Sequence, residues 1–288
     1  MGSTWGNAND FTAVFRCTTS KYADDFVTKG EIKFSTPQSW VDWAKDYGDG
    51  RGDMLEGTVA CWHLYDIPTF IELNKKYSIY KKYISKTTTI EKINKTIYFK
   101  RKRTMELPCF CFYILKNSMF MCPNKTGKGI ELSTKIPASY FRDFAENKAP
   151  EEIKKRPDDK KPAVIYIESY KELEFRIINA LIDLGLAREE ILIEQIHYDN
   201  FKKYGPKGWI DLNTKEPFEL FFKDNRFYDQ SEARIVINTN KDYIKKFLID
   251  KVLTLGPLTD ISQKKDVYLY DGMTIILTAE VSDKPPNY

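Results

Sequence analysis

Histidine is nearly absent: His63 and His197 are the two in 288 residues. Two isolated His do not make a nucleophilic Cys/His pair, and they offer little to a His-rich metal centre. Cysteine is scarce as well. Cys17, Cys61, Cys109, Cys111 and Cys122 are odd in number and lack framework spacing, which excludes a disulfide scaffold. Cys109-x-Cys111 with Cys122 could supply three thiols to zinc, but both His are distant in sequence from this group. Buried or half-buried free thiols are the better reading, and no metal is expected. No run of eighteen apolar residues occurs, which excludes a membrane-spanning helix. No phosphate loop with a Lys-Ser/Thr signature is present, Gly127-Lys128-Gly129 being too short. The start, Met1 to Trp5, lacks a basic and apolar leader, and Gly6 stands where a myristoylation signal wants Ser or Thr. A cytoplasmic protein is expected, with no membrane partner.

What is present supports a folded chain. Apolar residues make up 42% and charged residues 30%, enough for a normal core under a solvated surface. The length fits one domain over residues 1–288. The charge is unevenly spread. Residues 81–103 carry nine Lys or Arg against one acid, Glu91, a net +8 that leaves −4 for the rest of a chain of net +4. Lys81, Lys82, Lys100, Arg101, Lys102 and Arg103 are interleaved with Tyr83, Tyr98 and Phe99. Such a segment suits a single strand of RNA or DNA, cations meeting phosphates and rings stacking on bases. A solvated face of a Lys-rich protein fits it equally well.

Periodicity places the elements. Residues 11–16 read as a strand, and residues 20–29 as a helix capped by Ser20 and stopped by Gly30. Residues 31–35 alternate as a second strand, ended by Pro37. A Gly-rich charged loop, 46–57, leads into the apolar segment 58–62. The dense apolar run 107–115 reads as a central strand. After a charged, Pro-rich loop at 146–162 come a strand at 163–167, an amphipathic helix at 168–186 and two strands at 218–223 and 232–237. The latter two are joined by the polar turn 224–231, and further strands lie in the tail. Strands at both ends with helices between give an α+β class. Glu172 and Arg176 stand at helical ion-pair spacing.

Three short segments belong together: Val14-Phe15-Arg16-Cys17-Thr18-Thr19 ending a strand, Glu31-Ile32-Lys33-Phe34-Ser35-Thr36-Pro37, and Gln230-Ser231-Glu232-Ala233-Arg234-Ile235-Val236-Ile237. In this order they resemble the ADP-ribosyltransferase superfamily, in particular its DNA- and RNA-modifying toxins. That family has an Arg or His on its first strand, a Ser/Thr-bearing strand next, and a Glu opening a later strand, with Gln or Glu two residues before it. The resemblance implies a split, twisted β-sandwich with a helical insertion, placed here at about 60–160 because some two hundred residues separate Ser35 from Glu232.

The resemblance also implies NAD⁺ as substrate. Catalysis would fall to Glu232, Gln230 and Arg16. Glu232 would stabilise positive charge growing on the ribose as the nicotinamide bond breaks. Gln230 would face the acceptor. Arg16 would grip the pyrophosphate or ribose side by bidentate bonds, with Thr18, Ser35 and Thr36 lining the dinucleotide. The loop residues Arg51 and Asp53 are further binding candidates, reaching a phosphate and a ribose or acceptor amine. An acceptor of single-stranded nucleic acid, a role in toxin–antitoxin or anti-phage defence, and an inhibitory partner protein follow as expectations. A protein acceptor, NAD⁺ hydrolysis, or a nucleic-acid-binding protein without activity are the alternatives. Each segment also has a plain structural reading: Arg16 as an edge cation, Ser35-Thr36-Pro37 as a strand end, Arg51 and Asp53 in a solvated turn, Glu232 and Arg234 as exposed positions of an amphipathic strand.

Overall fold

The structure, a computed structural model, describes residues 11–47, 52–63, 88–94, 96–126, 129–138, 140–141, 150–201, 215–266 and 273–280. Its strands are β1 (Phe11–Thr19), β2 (Glu31–Ile32), β3 (Thr58–His63), β4 (Thr88–Ile93), β5 (Thr96–Arg101), β6 (Cys109–Lys116), β7 (Met121–Thr126), β8 (Gly129–Ile136), β9 (Pro162–Ile167), β10 (Ile191–Gln195), β11 (His197–Asp199), β12 (Phe222–Asp224), β13 (Glu232–Ile237), β14 (Leu253–Thr254), β15 (Ser262–Asp266) and β16 (Met273–Glu280). The helices are α1 (Ser20–Lys29), α2 (Pro37–Tyr47), α3 (Lys102–Met105), α4 (Pro150–Lys154), α5 (Tyr170–Asp183) and α6 (Asp242–Asp250).

Six strands form the main sheet in the order β10-β13-β6-β1-β9-β15, every neighbouring pair antiparallel. Side chains alternate between its faces. On one face Val14, Phe112, Ile165 and Ile235 meet Phe26 of α1, Ile177 and Leu181 of α5, and Ile244 and Leu248 of α6. On the other, Phe15, Cys17, Tyr113 and Val164 meet Ile136, Tyr140, Phe141 and Ile153. Both faces of the central strands are thus covered, which is why β6 reads as an unbroken apolar run. A fully buried Leu or Ile such as Leu181 or Ile114, both at 0% exposure, contributes about 1.5–3 kcal/mol. The α+β class follows, and no helix among the described residues is long and apolar enough to cross a membrane.

The span 60–160 is not one inserted unit. β6 lies inside the main sheet between β13 and β1, and β8 pairs with β16 from the far end of the chain in a sheet of order β16-β8-β7. The sheet β3-β5-β4 is the part of that span that pairs only within itself.

Local readings also shift. α1 runs where its pattern placed it, but Thr19 holds the N-cap position without a side-chain bond, and Ser20 instead receives a 2.7 Å hydrogen bond from Lys264 Nζ. Gly30 ends α1 at φ 69°, and a Cβ there would stand 2.1 Å from the Gly256 carbonyl oxygen. The strand expected over 31–35 is broken: Glu31 and Ile32 pair with β14, while Ser35 makes a separate bridge to Cys109. Pro37 opens α2 instead of merely ending a strand, because its fixed φ and missing N–H suit a first helical turn. The Thr36 hydroxyl accepts the Ser39 N–H at 3.1 Å as the cap. Residues 218–221 are a 3₁₀ turn, leaving β12 as a short strand parallel to β11.

Candidate functional site

Strands β1 and β6 pair from Phe11↔Lys116 to Phe15↔Tyr113 and then part. From Arg16 onward β1 runs against β9 alone, Arg16↔Ile165 to Thr19↔Pro162. From Phe112 back to Cys109, β6 runs against β13 on one side, and its other edge is met by Ser35, whose N–H and carbonyl bond Cys109 at 2.9 and 2.7 Å. The gap between the parted strands opens a cavity of about 250 Å³. Arg16 and Thr18 line it from β1, Cys109 and Cys111 from β6, and Trp40 and Trp43 from α2. Asp53, Glu56, Lys223, Gln230, Glu232 and Arg234 complete its polar wall.

Arg16 reaches into the gap. Its guanidinium donates to the Cys111 carbonyl and lies 3.9 Å from the centre of the Phe110 ring. The cation is held between the strands by a backbone acceptor and an aromatic face.

Glu232 is aimed by the turn before it. Ser231 takes a left-handed conformation, φ 37°, a strained geometry for a residue with a side chain. It is locked to β6 by two bonds of 2.8 Å: its hydroxyl donates to the Ile114 carbonyl and its own carbonyl accepts the Ile114 N–H. The Glu232 N–H donates to Tyr198 Oη at 2.9 Å. Its carboxylate accepts from Lys223 Nζ at 2.6 Å and from Arg234 Nε and Nη2 at 3.0 and 2.7 Å. Burial alone would raise this carboxyl, but the Arg234 and Lys223 cations outweigh it and hold the pKa at about 2.

Arg234 is wholly buried. It also donates to Glu56 at 2.6 and 3.3 Å and to the Leu220 carbonyl at 2.6 Å, and its guanidinium lies 4.7 Å from the Trp40 ring centre. Burial would lower the Lys223 ammonium, yet Glu232 and Glu56 raise it further, so it stays charged. Lys223 donates to the Gln230 side-chain carbonyl at 2.8 Å. Glu56, Arg234, Glu232 and Lys223 therefore form one continuous buried ionic chain, whose members satisfy one another.

Asp53 stands apart from that chain. It is 2% exposed. Its Oδ1 accepts the Leu55 N–H at 2.8 Å and faces Arg226 Nη2 at 3.4 Å, while Oδ2 has no hydrogen-bond partner among the described residues. Burial first, and Glu56 second, push its carboxyl up to about 6, against the pull of Lys223, the Leu55 N–H and Arg226. The Cys109 and Cys111 thiols are driven far above their ordinary range, chiefly by burial, so neither is a thiolate. Among the described residues no group of three or more His, Cys, Asp or Glu could hold a metal.

Of the residues singled out in the sequence, Arg16, Thr18, Ser35, Asp53, Gln230 and Glu232 all line this one cavity. Thr36 does not; its hydroxyl is spent on capping α2. Arg51, Lys81 and Lys82 lie outside the described residues. The basic segment is divided. Lys100 is buried, paired to Glu91 at 2.6 Å and bonded to the Met54 carbonyl. Arg101 is buried against Glu219, Nε to Oε1 at 2.6 Å. The reading of these two as a surface for phosphates is corrected: a desolvated, ion-paired cation has no counterions to release. Arg103 bonds Asn238 at 2.5 Å and the Lys215 carbonyl at 2.8 Å, and Lys102 is exposed. The alternative of Glu232 and Arg234 as exposed strand positions is also removed, since both are buried.

Sequence reasoning missed α2 and with it Ser39, Trp40 and Trp43. The signal was there: Thr36-Pro37 is a cap followed by a first-turn proline, and Trp40 and Trp43 stand three apart on one helical face. It also missed Lys223, which sat in an expected strand with no visible carboxylate partner. Comparison of the chain with known family models, with curated proteins and with solved structures found no match in any of the three.

Proposed function

We propose that the cavity binds NAD⁺ and that the chain is an ADP-ribosyltransferase acting at the bond between nicotinamide and ribose. One observation carries this reading: Arg16 and Glu232, from strands far apart in the chain, line a single cavity where β1 and β6 part. A sheet that divides at this point is what a split β-sandwich of that superfamily would require.

The lining residues suit the substrate. Glu232, ionised throughout the neutral range, sets a fixed negative charge where positive charge grows on the ribose. Lys223 and Arg234 cost the carboxylate part of its field, and in return they hold it immobile, so nothing reorganises as the bond breaks. Arg16 serves the pyrophosphate, its planar fork matching phosphate oxygens. Ser35 and Thr18 offer hydroxyls to the riboses. Trp43 offers a flat wall to the nicotinamide ring, while Trp40 is engaged with Arg234. Gln230, its carbonyl tied to Lys223, sits on the acceptor side.

A single strand of RNA or DNA remains the proposed acceptor. With Lys100 and Arg101 committed internally, its support narrows to Lys102, Arg103 and the basic residues outside the described part. A toxin-type or anti-phage role with an inhibitory partner rests on the same resemblance.

The test is incubation of the full chain with labelled NAD⁺ and separate pools of RNA, DNA and protein. Transfer to nucleic acid is expected, with nicotinamide released in step. Glu232→Gln should cut release by a factor of about 10²–10³ while NAD⁺ still binds. No release with any pool, or release unchanged in Glu232→Gln, overturns the reading. Label on protein alone, or free ADP-ribose alone, moves the acceptor to protein or to water.

A further inference from the structure

The cavity contains several charged groups but few that can take a proton. Glu232 accepts from two cations. Gln230 is an amide and has no basicity. Lys223 and Arg234 are held in their charged forms. Glu56 is bound to Arg234 through both carboxylate oxygens. The thiols of Cys109 and Cys111 are too weakly acidic to exist as bases there. A transferase acting on a neutral nucleophile nevertheless has to dispose of a proton.

Asp53 is differently placed. It sits in the turn between α2 and β3, and that turn is pinned: a Cβ at Gly52 would stand 2.4 Å from the Trp40 carbonyl oxygen and 2.6 Å from the Ala44 nitrogen. The two contacts of its carboxyl, to the Leu55 N–H and to Arg226, both fall on Oδ1. Oδ2 is buried without a hydrogen-bond partner among the described residues, and Asp53 is one of the residues that line the cavity. An unpaired buried acceptor is costly to a fold, and here the cost is relieved by a group that brings a proton to it.

We propose that Asp53 is the proton acceptor of the transfer reaction, receiving through Oδ2 the proton of the incoming nucleophile. This rests on the NAD⁺ reading above and deepens it. The nucleophile is a neutral hydroxyl, base nitrogen or water bearing a hydrogen. Its lone pair forms the new bond to ribose C1′. The bond from C1′ to the nicotinamide nitrogen breaks with its electron pair, so nicotinamide leaves neutral. The hydrogen of the nucleophile passes to Asp53 as a proton and goes on to solvent. No oxidant, reductant or metal enters the balance. Two carboxylates then divide the work: Glu232 from β13 on the ribose, Asp53 from the α2–β3 turn on the nucleophile.

The groups facing Asp53 set its response to pH. Glu56 of its own turn opposes ionisation, and Lys223 of β12 and Arg226 of the following turn favour it. Glu232 and Arg234 of β13 share the cavity, and α2 contributes Ser39, Trp40 and Trp43, which do not titrate. Burial leaves the carboxyl at about 6, close to the working range of a general base.

The test uses the full chain with NAD⁺ and water as nucleophile, nicotinamide being quantified chromatographically from pH 5 to 8. Wild-type kcat is expected to rise through about pH 6 and then level. Asp53→Asn should lower kcat about a hundredfold, remove that rise and leave KM for NAD⁺ within about threefold, with Asp53→Glu recovering part of the rate. A normal rate and profile in Asp53→Asn, or a change in KM alone, overturns the role. Where Asp53→Asn does not fold, the wild-type profile decides: a rate flat across this range overturns it. The two readings fail separately. Wild-type release that dies in Glu232→Gln but is untouched by Asp53→Asn sinks the Asp53 role alone. No wild-type release sinks the NAD⁺ reading and this role with it.

Discussion

Arg234→Met removes one side chain and leaves two buried acids behind. In the intact protein that guanidinium gives two bonds to Glu232, two to Glu56 and one to the Leu220 carbonyl, at complete burial. Met matches the length of the stem but offers no donor. Glu56, at 1% exposure, loses this partner, and Glu232 keeps Lys223. Breaking a buried pair in this way costs about 3–5 kcal/mol, which lowers Tm by roughly 10 °C for a chain of this size.

The loss depends on pH. The Glu232 carboxyl is held at about 2 against an ordinary 4.5. A depressed value stabilises the fold at pH above 4.5, and that contribution disappears as pH falls toward 2. Without Arg234 the folded value rises and the contribution shrinks, so the deficit is fully present above pH 4.5 and narrows as pH falls from 4.5 toward 2. Differential scanning at pH 7 and pH 3 measures both effects. A Tm within about 2 °C of wild type at pH 7, or a deficit equal at the two pH values, refutes the ionic chain as the support of the site. Adding Glu56→Gln to Arg234→Met should cost less than the two changes separately, since it removes the acid that was stranded.

The other expectations concern the scaffold. Gly30→Ala forces a side chain onto a backbone at φ 69° and onto the Gly256 carbonyl, and should cost about 3 kcal/mol; an unchanged urea midpoint contradicts the close approach of α1 to the segment after β14. Arg101→Met strands Glu219, which is fully buried and also accepts from the Thr104 hydroxyl at 2.7 Å, at about 3–5 kcal/mol. Lys102→Gln, one residue on and exposed, should stay within about 0.5 kcal/mol. Equal effects in the two variants, by the same measurement, contradict the division of the basic segment.

Legibility of the chain followed the range of the signals. α1 with its Gly30 stop, β6, α5 and β13 are set by periodicity within a few residues of themselves, and each lies close to where its pattern put it. Glu172 and Arg176, four apart on α5, pair at 2.8 Å as that spacing implies. Pairing between distant strands has no such local mark. The apolar run of residues 109–116 marks a central strand, but nothing in it names β13 and β1 as the neighbours of β6. The basic run misled for a related reason. Composition counts charges, but Lys100 and Arg101 are neutralised by Glu91 and Glu219, and Glu219 lies 118 residues from Arg101. Arg16 and Glu232 are singled out by the order of short segments and both line the cavity, whereas Lys223 and Trp40 take their places there only through neighbours in space.

The Glu56–Arg234 bond joins positions 178 residues apart, and this has a consequence for synthesis. As the chain leaves the ribosome, Glu56 and Asp53 emerge long before the strand that completes their surroundings. Until Arg234 arrives they remain ordinary hydrated carboxylates, and closing so long a loop comes late in assembly. A chain that has not yet reached Arg234 therefore lacks the ionic chain that lines this cavity.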